Sequence, residues 1–506
     1  MSELTGLIVS LNAAVASMPA ALKSLPAGIA AVRLRTDLAD DIDPARIRQY
    51  CRRPLIYVLR RCADGGSEDT RQRRLRDAAR HFDFIELDAD CDLVPHLLAV
   101  IEPARRLISW HGAASDAATL ARRFAAMAQV PAALYVLAPC ARRFAETVAP
   151  LRVLNGLARD DVVAYDTSSA GFWTRVIAPR LGAPSVFVDA DGPTAELDPG
   201  SIAALIDDYD LLVPSPITAL YGIVGPSVLH SLSPRLHNAK YRANGRTAMF
   251  VPIPAIELAD VCGDPTVFEE LAHLNLNLRG LTVTAPFKEA ALALAHSRSA
   301  SAVMAGSANL LLRRDGGWRA ETTDPQGLLD ALAARGLPLR GVAALVIGCG
   351  GAGRAIAVAL REAGAAVTLA NRSPRAGQAA ARKLGLRYVS LAQLQPAGYA
   401  LLVNATPVGT DGVSSLVDPQ ALDANSIVVD LVYGRRVTPL VTGALARGLR
   451  VIDGFEILDH QVRHQYGRMA EVGDMLDSPR EVGRSYGVGV TPETHGYGEL
   501  TAVSPD

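Results

Sequence analysis

Ala343-Ala-Leu-Val-Ile347 runs without a break into Gly348-Cys-Gly-Gly-Ala-Gly353-Arg-Ala-Ile-Ala357. An apolar run, a glycine-dense turn and an amphipathic stretch read in order as strand, tight turn and helix. Glycines at such a junction allow the turn and let the backbone approach a pyrophosphate at the positive end of the helix. Gly348, Gly350, Gly351 and Ala352 are therefore candidate cofactor-binding positions. The following strand, Ala366-Val-Thr-Leu-Ala370, ends at Asn371-Arg372-Ser373. An acidic residue there would bind the ribose 2′-hydroxyl of NAD. Asn371 and Arg372, with Arg375 nearby, suit a 2′-phosphate instead. The expected cofactor is NADP.

Upstream, Leu281-Thr-Val-Thr-Ala-Pro-Phe-Lys288 carries one of only four lysines in the chain, the others being Lys23, Lys240 and Lys383. Arginine serves a solvated face as well as lysine does, but only a lysine amine can lose its proton or form an imine. Each lysine here is thus a candidate for chemistry. Ala305-Gly-Ser-Ala-Asn309 and Glu321-Thr-Thr-Asp324 follow. Earlier still, Tyr221-Gly-Ile-Val-Gly-Pro-Ser-Val-Leu-His-Ser-Leu-Ser-Pro-Arg-Leu-His-Asn238 reads as a strand, a loop with Ser231 and Ser233, and a helix begun by Pro234. Two hydroxyls beside a helix start suit a carboxylate.

In this order the motifs resemble the shikimate dehydrogenase family over residues 221 to about 470. Asn404-Ala-Thr-Pro-Val-Gly409, Asp430-Leu-Val-Tyr433 and Asp453-Gly-Phe-Glu-Ile-Leu-Asp-His-Gln461 extend the match. The resemblance implies that Lys288 and Asp324 form the catalytic pair and that Ser231 and Ser233 hold a substrate carboxylate. Thr284, Asn309, Tyr433 and Gln461 would complete the substrate site. Thr406 and Gly454 would join the cofactor site. The implied reaction is NADPH-dependent reduction of 3-dehydroshikimate to shikimate, with a proton delivered to the nascent alkoxide. Thr282 and Thr322 stand where the family usually has asparagines, and Leu310 where a threonine is common. Quinate-preferring relatives alter the positions of Ser233 and Thr284, and this chain keeps both.

The preceding half alternates short strands and helices. The expected strands are Gly6–Leu11, Ile29–Arg35, Leu55–Arg60, Phe82–Leu87, Leu107–His111, Ala133–Ala138, Asp161–Asp166 and Ser185–Asp189. Expected helices include Asp69–His81, Ser115–Gln129 and Ala141–Leu157. Eight such repeats in roughly 210 residues predict a (β/α)8 barrel, whose active site lies at the carboxyl ends of the strands. Arg35, Arg60, Glu86 and His111 are assigned to those ends. Leu212-Val-Pro-Ser-Pro-Ile-Thr-Ala-Leu220 then marks a boundary.

This half resembles type I 3-dehydroquinate dehydratase over roughly residues 6–212. The carrying segments are Arg-Leu-Arg-Thr-Asp (33–37), Leu-Arg-Arg-Cys-Ala-Asp-Gly-Gly (59–66), Phe-Ile-Glu-Leu-Asp (84–88), Ile-Ser-Trp-His (108–111) and Trp-Thr-Arg-Val-Ile (173–177). The resemblance implies a proton-shuttling role for His111 and carboxylate binding by Arg60 and Arg175. The family's imine-forming lysine falls on Val136, and Lys23 lies in a helix far from that strand. Arg33 replaces a glutamate, and Ser201 lies where a glutamine-bearing loop is expected. The barrel is expected not to use the lysine mechanism, which leaves ligand binding and a structural role both open. A barrel followed by the reductase also resembles the fused shikimate-pathway protein of plants and some bacteria.

Composition bounds the rest. The chain has 506 residues, 49% of them hydrophobic, and a formal charge of −1, so it carries no polybasic footprint for nucleic acid or anionic membrane. Six cysteines show no metal-ligand spacing and read as reduced thiols, with no metal site. Near the amino terminus Glu3 is acidic and Asn12 breaks the apolar run, so neither a signal peptide nor a membrane span is expected. The overall expectation is a cytoplasmic α/β enzyme, monomer or homodimer. Its parts would be a (β/α)8 barrel over 1–213, a substrate domain over 220–325, a Rossmann domain over 326–475 whose last helix returns to the substrate domain, and a disordered tail over 478–506. Two other readings compete: a fully bifunctional enzyme with a lysine-free dehydratase, and a non-catalytic dinucleotide-binding regulator.

Overall fold

A computed structural model describes residues 4–11, 18–36, 44–60, 67–114, 116–189, 202–314, 317–434 and 436–477. Asn12, Asp37, the segment 61–66, Ser201 and the tail 478–506, all used above, lie outside the described residues.

The first sheet contains β1 (Gly6–Leu11), β2 (Ile29–Arg35), β3 (Leu55–Val58), β4 (Phe84–Asp88), β5 (Arg106–Trp110), β6 (Leu134–Leu137), β7 (Val162–Ala164) and β8 (Ser185–Asp189). All its ladders are parallel, in the order β7-β6-β5-β4-β3-β2-β1-β8, giving a near-closed eight-stranded barrel. Buried runs such as Leu7–Leu11 are typical of parallel strands covered on both faces.

Several edges differ from the sequence reading. β3 ends at Val58, leaving Arg60 in the loop beyond. Phe82 precedes β4 because its N–H bonds Ala78 O, which closes the helix Glu68–Ala78. His111 follows β5 instead of ending it. The helix expected over Ala141–Leu157 is a 3-10 turn, Phe144–Val148, and then an α-helix, Ala149–Leu157. Pro150 accounts for the break: without an N–H it fits the first turn of a helix and not its interior. Glu86 is placed less simply than a strand end. It lies two residues before the end of β4 and is buried, yet it is level in register with Val58 and Arg35, the last residues of β3 and β2.

Residues 212–218 carry no helix or strand. The second sheet follows, with β9 (Ala219–Gly225), β10 (Ala248–Pro254), β11 (Asn277–Val283), β12 (Ser297–Arg298), β13 (Leu310–Arg314) and β14 (Gly317–Glu321). Their order is β10-β9-β11-β13-β14-β12, with β13 antiparallel to both neighbours. Arg152 to Glu270 at 2.6 Å and Arg235 to Asp208 at 2.9 Å tie this unit to the barrel.

The third sheet is all parallel: β15 (Ala343–Ile347), β16 (Ala366–Asn371), β17 (Arg387–Ser390), β18 (Leu401–Asn404), β19 (Ile427–Asp430) and β20 (Arg450–Ile452). Its order, β17-β16-β15-β18-β19-β20, reverses direction between β15 and β18. Doubly wound sheets open a ligand crevice at that reversal, outside the carboxyl ends of the strands. The last helix, Gly454–Asp477, returns to the second sheet, where Tyr221 OH donates to Met469 O at 3.0 Å. No helix among the described residues is long and apolar enough to cross a membrane.

Candidate active site

Two helix starts meet between the second and third sheets. Lys288 opens the helix Lys288–Leu294, and Asp324 opens Asp324–Ala334 with Pro325 directly behind it. An aspartate in a first helical turn gains from the positive end of the helix. Lys288 Nζ donates to Asp324 Oδ2 at 2.6 Å, a charge-assisted bond between side chains 17% and 4% exposed. The other carboxylate oxygen, Oδ1, accepts from Asn309 Nδ2 at 2.7 Å and from Gln461 Nε2 at 3.2 Å. Asn309 is fixed in turn, accepting from the Thr323 N–H at 2.8 Å. Gln465 Nε2 braces Thr323 Oγ1 at 3.2 Å. The aspartate is thus held on both oxygens, while the ammonium keeps two further protons to direct elsewhere.

A cavity of about 200 Å³ opens above this pair, walled by Ser233, Thr284, Asn309, Tyr433 and Gln461. Ser233 begins the helix Ser233–Ala243 and its N–H donates to Ser231 Oγ at 3.2 Å. Ser231 does not line the cavity. Burial pushes the Tyr433 phenol up, and the nearby Ser231 hydroxyl opposes the shift. Gly454, expected near the cofactor, lines this smaller cavity. Sequence reasoning missed Gln465, Ile457 and Leu458. The signal was available for Gln465, which lies four residues after Gln461 on one helix.

A second cavity, about 480 Å³, runs from the glycine-rich turn to Lys288 and shares Thr284, Lys288 and Ala352 with the first. Gly348, Gly350, Gly351, Ala352, Asn371, Arg372 and Thr406 line it, and Arg375 does not. Two glycines shape its floor. A β-carbon on Gly353 would come within 2.0 Å of Gly348 O, so only glycine fits the turn. One on Gly351 would press on Lys288 and Ser307. Gly350 precedes the helix Gly351–Glu362, whose amino-terminal N–H groups point toward the cavity. At the end of β16, Asn371 accepts from the Cys349 N–H at 3.3 Å, and Arg372 stands exposed beside it. The one carboxylate among the lining residues, Glu289, is paired with Arg354 at 2.6 Å, and the residues that end β16 here are Asn371 and then Arg372, neither of them acidic. This donor set fits NADP.

The barrel presents a different arrangement. Arg33 grips Glu86 with Nε at 2.6 Å and Nη2 at 2.7 Å, and both side chains are buried. Burial alone would push the Glu86 carboxyl up, but the Arg33 charge holds it well below its usual range. His111 Nε2 lies 3.8 Å from Glu86 Oε1, beyond hydrogen-bond reach, and burial pushes the imidazole below its ordinary value. Val136 is 3% exposed in β6, flanked in register by Ser109 and Val163. Arg35, Arg60 and Arg175 gather at the mouth.

Residues 223–311 match the family described as shikimate dehydrogenase substrate binding domain, and residues 8–205 match type I 3-dehydroquinase. Shikimate dehydrogenase (NADP(+)) of Acidiphilium cryptum is 38% identical over 245 residues, covering 48% of this chain and 87% of that protein. A Thermus thermophilus protein of the same name is 38% identical over 246 residues, covering 48% of this chain and 88% of that protein. A solved structure of shikimate 5-dehydrogenase from Thermus thermophilus, in complex with NADP(H) and shikimate, is 35% identical. It covers 51% of this chain and 99% of that one, with a TM-score of 0.44.

Proposed function

This chain belongs to the shikimate dehydrogenase family through its carboxyl-terminal half, and from that membership we propose that it reduces 3-dehydroshikimate to shikimate with NADPH. The Lys288–Asp324 contact, at the junction of the two cavities, carries the reading. NADPH, when bound, supplies the hydride. Gly350, Gly351 and Ala352 would hold its pyrophosphate, with Asn371 and Arg372 at the 2′-phosphate and Thr406 beside the turn.

The chain's own residues supply the rest. Ser233 and Tyr433, which line the cavity, would bind the substrate carboxylate, with Ser231 behind Ser233. Thr284, Asn309 and Gln461 would bind the ring hydroxyls. As the ketone is reduced, negative charge grows on its oxygen. The Lys288 ammonium stabilises that charge and donates the proton, and Asp324 aims the ammonium. Positioned proton transfer of this kind is worth roughly 10²–10⁴-fold in rate.

In this reading the chain is divided into a barrel to about residue 213, a substrate domain over 220–325 and a nucleotide domain over 326–475. The barrel forms no imine, because a valine fills the position that would need an amine. Five cysteines among the described residues are free thiols, which supports a reducing cytoplasmic setting. The protein works as a monomer or homodimer. Two assays test this reading. NADPH should be consumed with 3-dehydroshikimate and far more slowly with 3-dehydroquinate. Borohydride should trap no adduct on the barrel in the presence of 3-dehydroquinate. Absence of NADPH turnover would overturn the reductase, and a trapped adduct would overturn the barrel reading.

A further inference from the structure

The helix Ser233–Ala243 starts with Ser233, which lines the substrate cavity. Its middle is held from within the reductase half. Asn238 Nδ2 donates to Phe250 O at 2.9 Å, Asn238 Oδ1 accepts from the Phe250 N–H at 2.7 Å, and His237 Nε2 meets Gln465 Oε1 at 3.2 Å. Its first and last turns are held from the barrel. Arg235 Nε donates to Asp208 Oδ1 at 2.9 Å. Arg242 Nη1 donates to Asp208 O at 3.4 Å and pairs with Asp210 at 3.4 Å. Asp208 belongs to the last barrel helix, Ile202–Tyr209, which packs against Ser233–Ala243.

Arg235 and Arg242 are about two helical turns apart, so one face of the helix meets the barrel. The negative end of Ile202–Tyr209 adds to the pull on both arginines. Asp208 is 5% exposed, and a carboxylate so buried stays charged only when it is paired. Burial pushes its carboxyl up, while Arg235 and then Arg242 oppose the shift. The backing is also rigid. Ile202 and Tyr209 of the barrel share one buried apolar cluster with Val251 and Ile253 of β10, whereas the clusters of the nucleotide domain are separate.

We propose that Asp208 is a positioning residue for the reductase: by holding Arg235, two residues from Ser233, the barrel fixes the seat of the substrate carboxylate. The proposal rests on the reductase reading above. It gives the barrel a task that needs neither an imine nor a ligand of its own.

The test is steady-state kinetics on variants of the full-length chain. Asp208→Ala should raise KM for 3-dehydroshikimate roughly three- to tenfold, short of the roughly 10²-fold of a 1 Å misplacement. Its kcat and its KM for NADPH should stay within about twofold of the wild type. Asp208→Asn keeps an acceptor for Arg235 Nε and should recover most of the loss. Arg235→Ala should match Asp208→Ala, and the double change should cost no more than either alone, because both remove one contact. Arg152→Ala cuts the other tie between the two units, to Glu270, and should leave KM unchanged. If the alanine variants do not fold, Arg235→Gln carries the test with the same expected rise in KM. Wild-type turnover with KM unmoved in Asp208→Ala and Arg235→Gln, or raised as much by Arg152→Ala, would overturn this proposal alone. No turnover by the wild type would overturn the reductase reading and this proposal with it.

Discussion

Lys288 rests its aliphatic stem on Gly351: a β-carbon built there would lie 3.0 Å from Lys288 Cβ and 3.1 Å from its Cδ. The first residue of the nucleotide-binding helix is therefore also the seat of the proposed catalytic lysine. Gly351→Ala should displace the ammonium while costing the fold little, since alanine is a better helix former than glycine. The lysine stem must give by a few tenths of an ångström, so turnover should fall several-fold, short of the roughly 10²-fold of a 1 Å misplacement, with the melting temperature nearly unchanged. Steady-state kinetics beside a thermal melt separate the two effects. Unchanged turnover would show that the lysine need not sit there.

Cofactor choice should depend on Arg372, the cation at the corner where Asn371 replaces an acid. Arg372→Gln removes a charge-assisted bond worth about 1.5–3 kcal/mol, or roughly 10- to 100-fold in NADPH affinity. NADH affinity should barely change, because it has no 2′-phosphate. Arg375 does not line the cavity, so Arg375→Gln should have a smaller effect. Equal losses for the two variants would contradict this placement.

Acid should destabilise the reductase half through His237, which is fully buried and stacked on Phe250 at 4.2 Å. Burial pushes its imidazole down to about 4 from an ordinary 6.5, Lys240 adds to the shift, and the bond with Gln465 opposes it. Between those values the unfolded chain takes up a proton that the native protein refuses. Stability therefore falls as pH drops from 6.5 toward 4, by up to about 1.4 kcal/mol per pH unit. Urea unfolding at about pH 7 and about pH 5 should show that loss, and His237→Gln should reduce it by about 2 kcal/mol. An equal loss in the variant would assign the acid sensitivity to another group.

The barrel should depend on Arg33 and Glu86 as a pair. Glu86→Gln leaves a buried guanidinium without its counter-charge, at a cost of about 3–5 kcal/mol. Arg33→Met with Glu86→Leu should recover most of that stability, because replacing a buried pair by apolar groups is often neutral. Reductase turnover should be unchanged in both. Unfolding followed by barrel tryptophan fluorescence would detect the difference.

The features legible in the sequence were those set by local spacing. The glycine turn after β15 was readable because its strand, turn and helix are contiguous. Eight strands were countable because each is a short buried run between breakers. The Arg33–Glu86 bond was not, since it joins residues 53 apart and depends on the register of β2, β3 and β4. Arg33 therefore reads in the sequence as a simple loss of a glutamate, with nothing local to join it to Glu86. The support of Asp324 by Asn309, Gln461 and Gln465 was only half visible. Its long-range half requires the last helix to fold back 137 residues to reach the aspartate.

The most direct measurement is the turnover of Lys288→Ala with 3-dehydroshikimate, beside its affinity for NADPH. With Asp324 holding the ammonium at 2.6 Å, kcat should fall about 10²–10⁴-fold while NADPH still binds. Turnover at the wild-type level, with NADPH bound as tightly as before, would contradict the role given to this lysine.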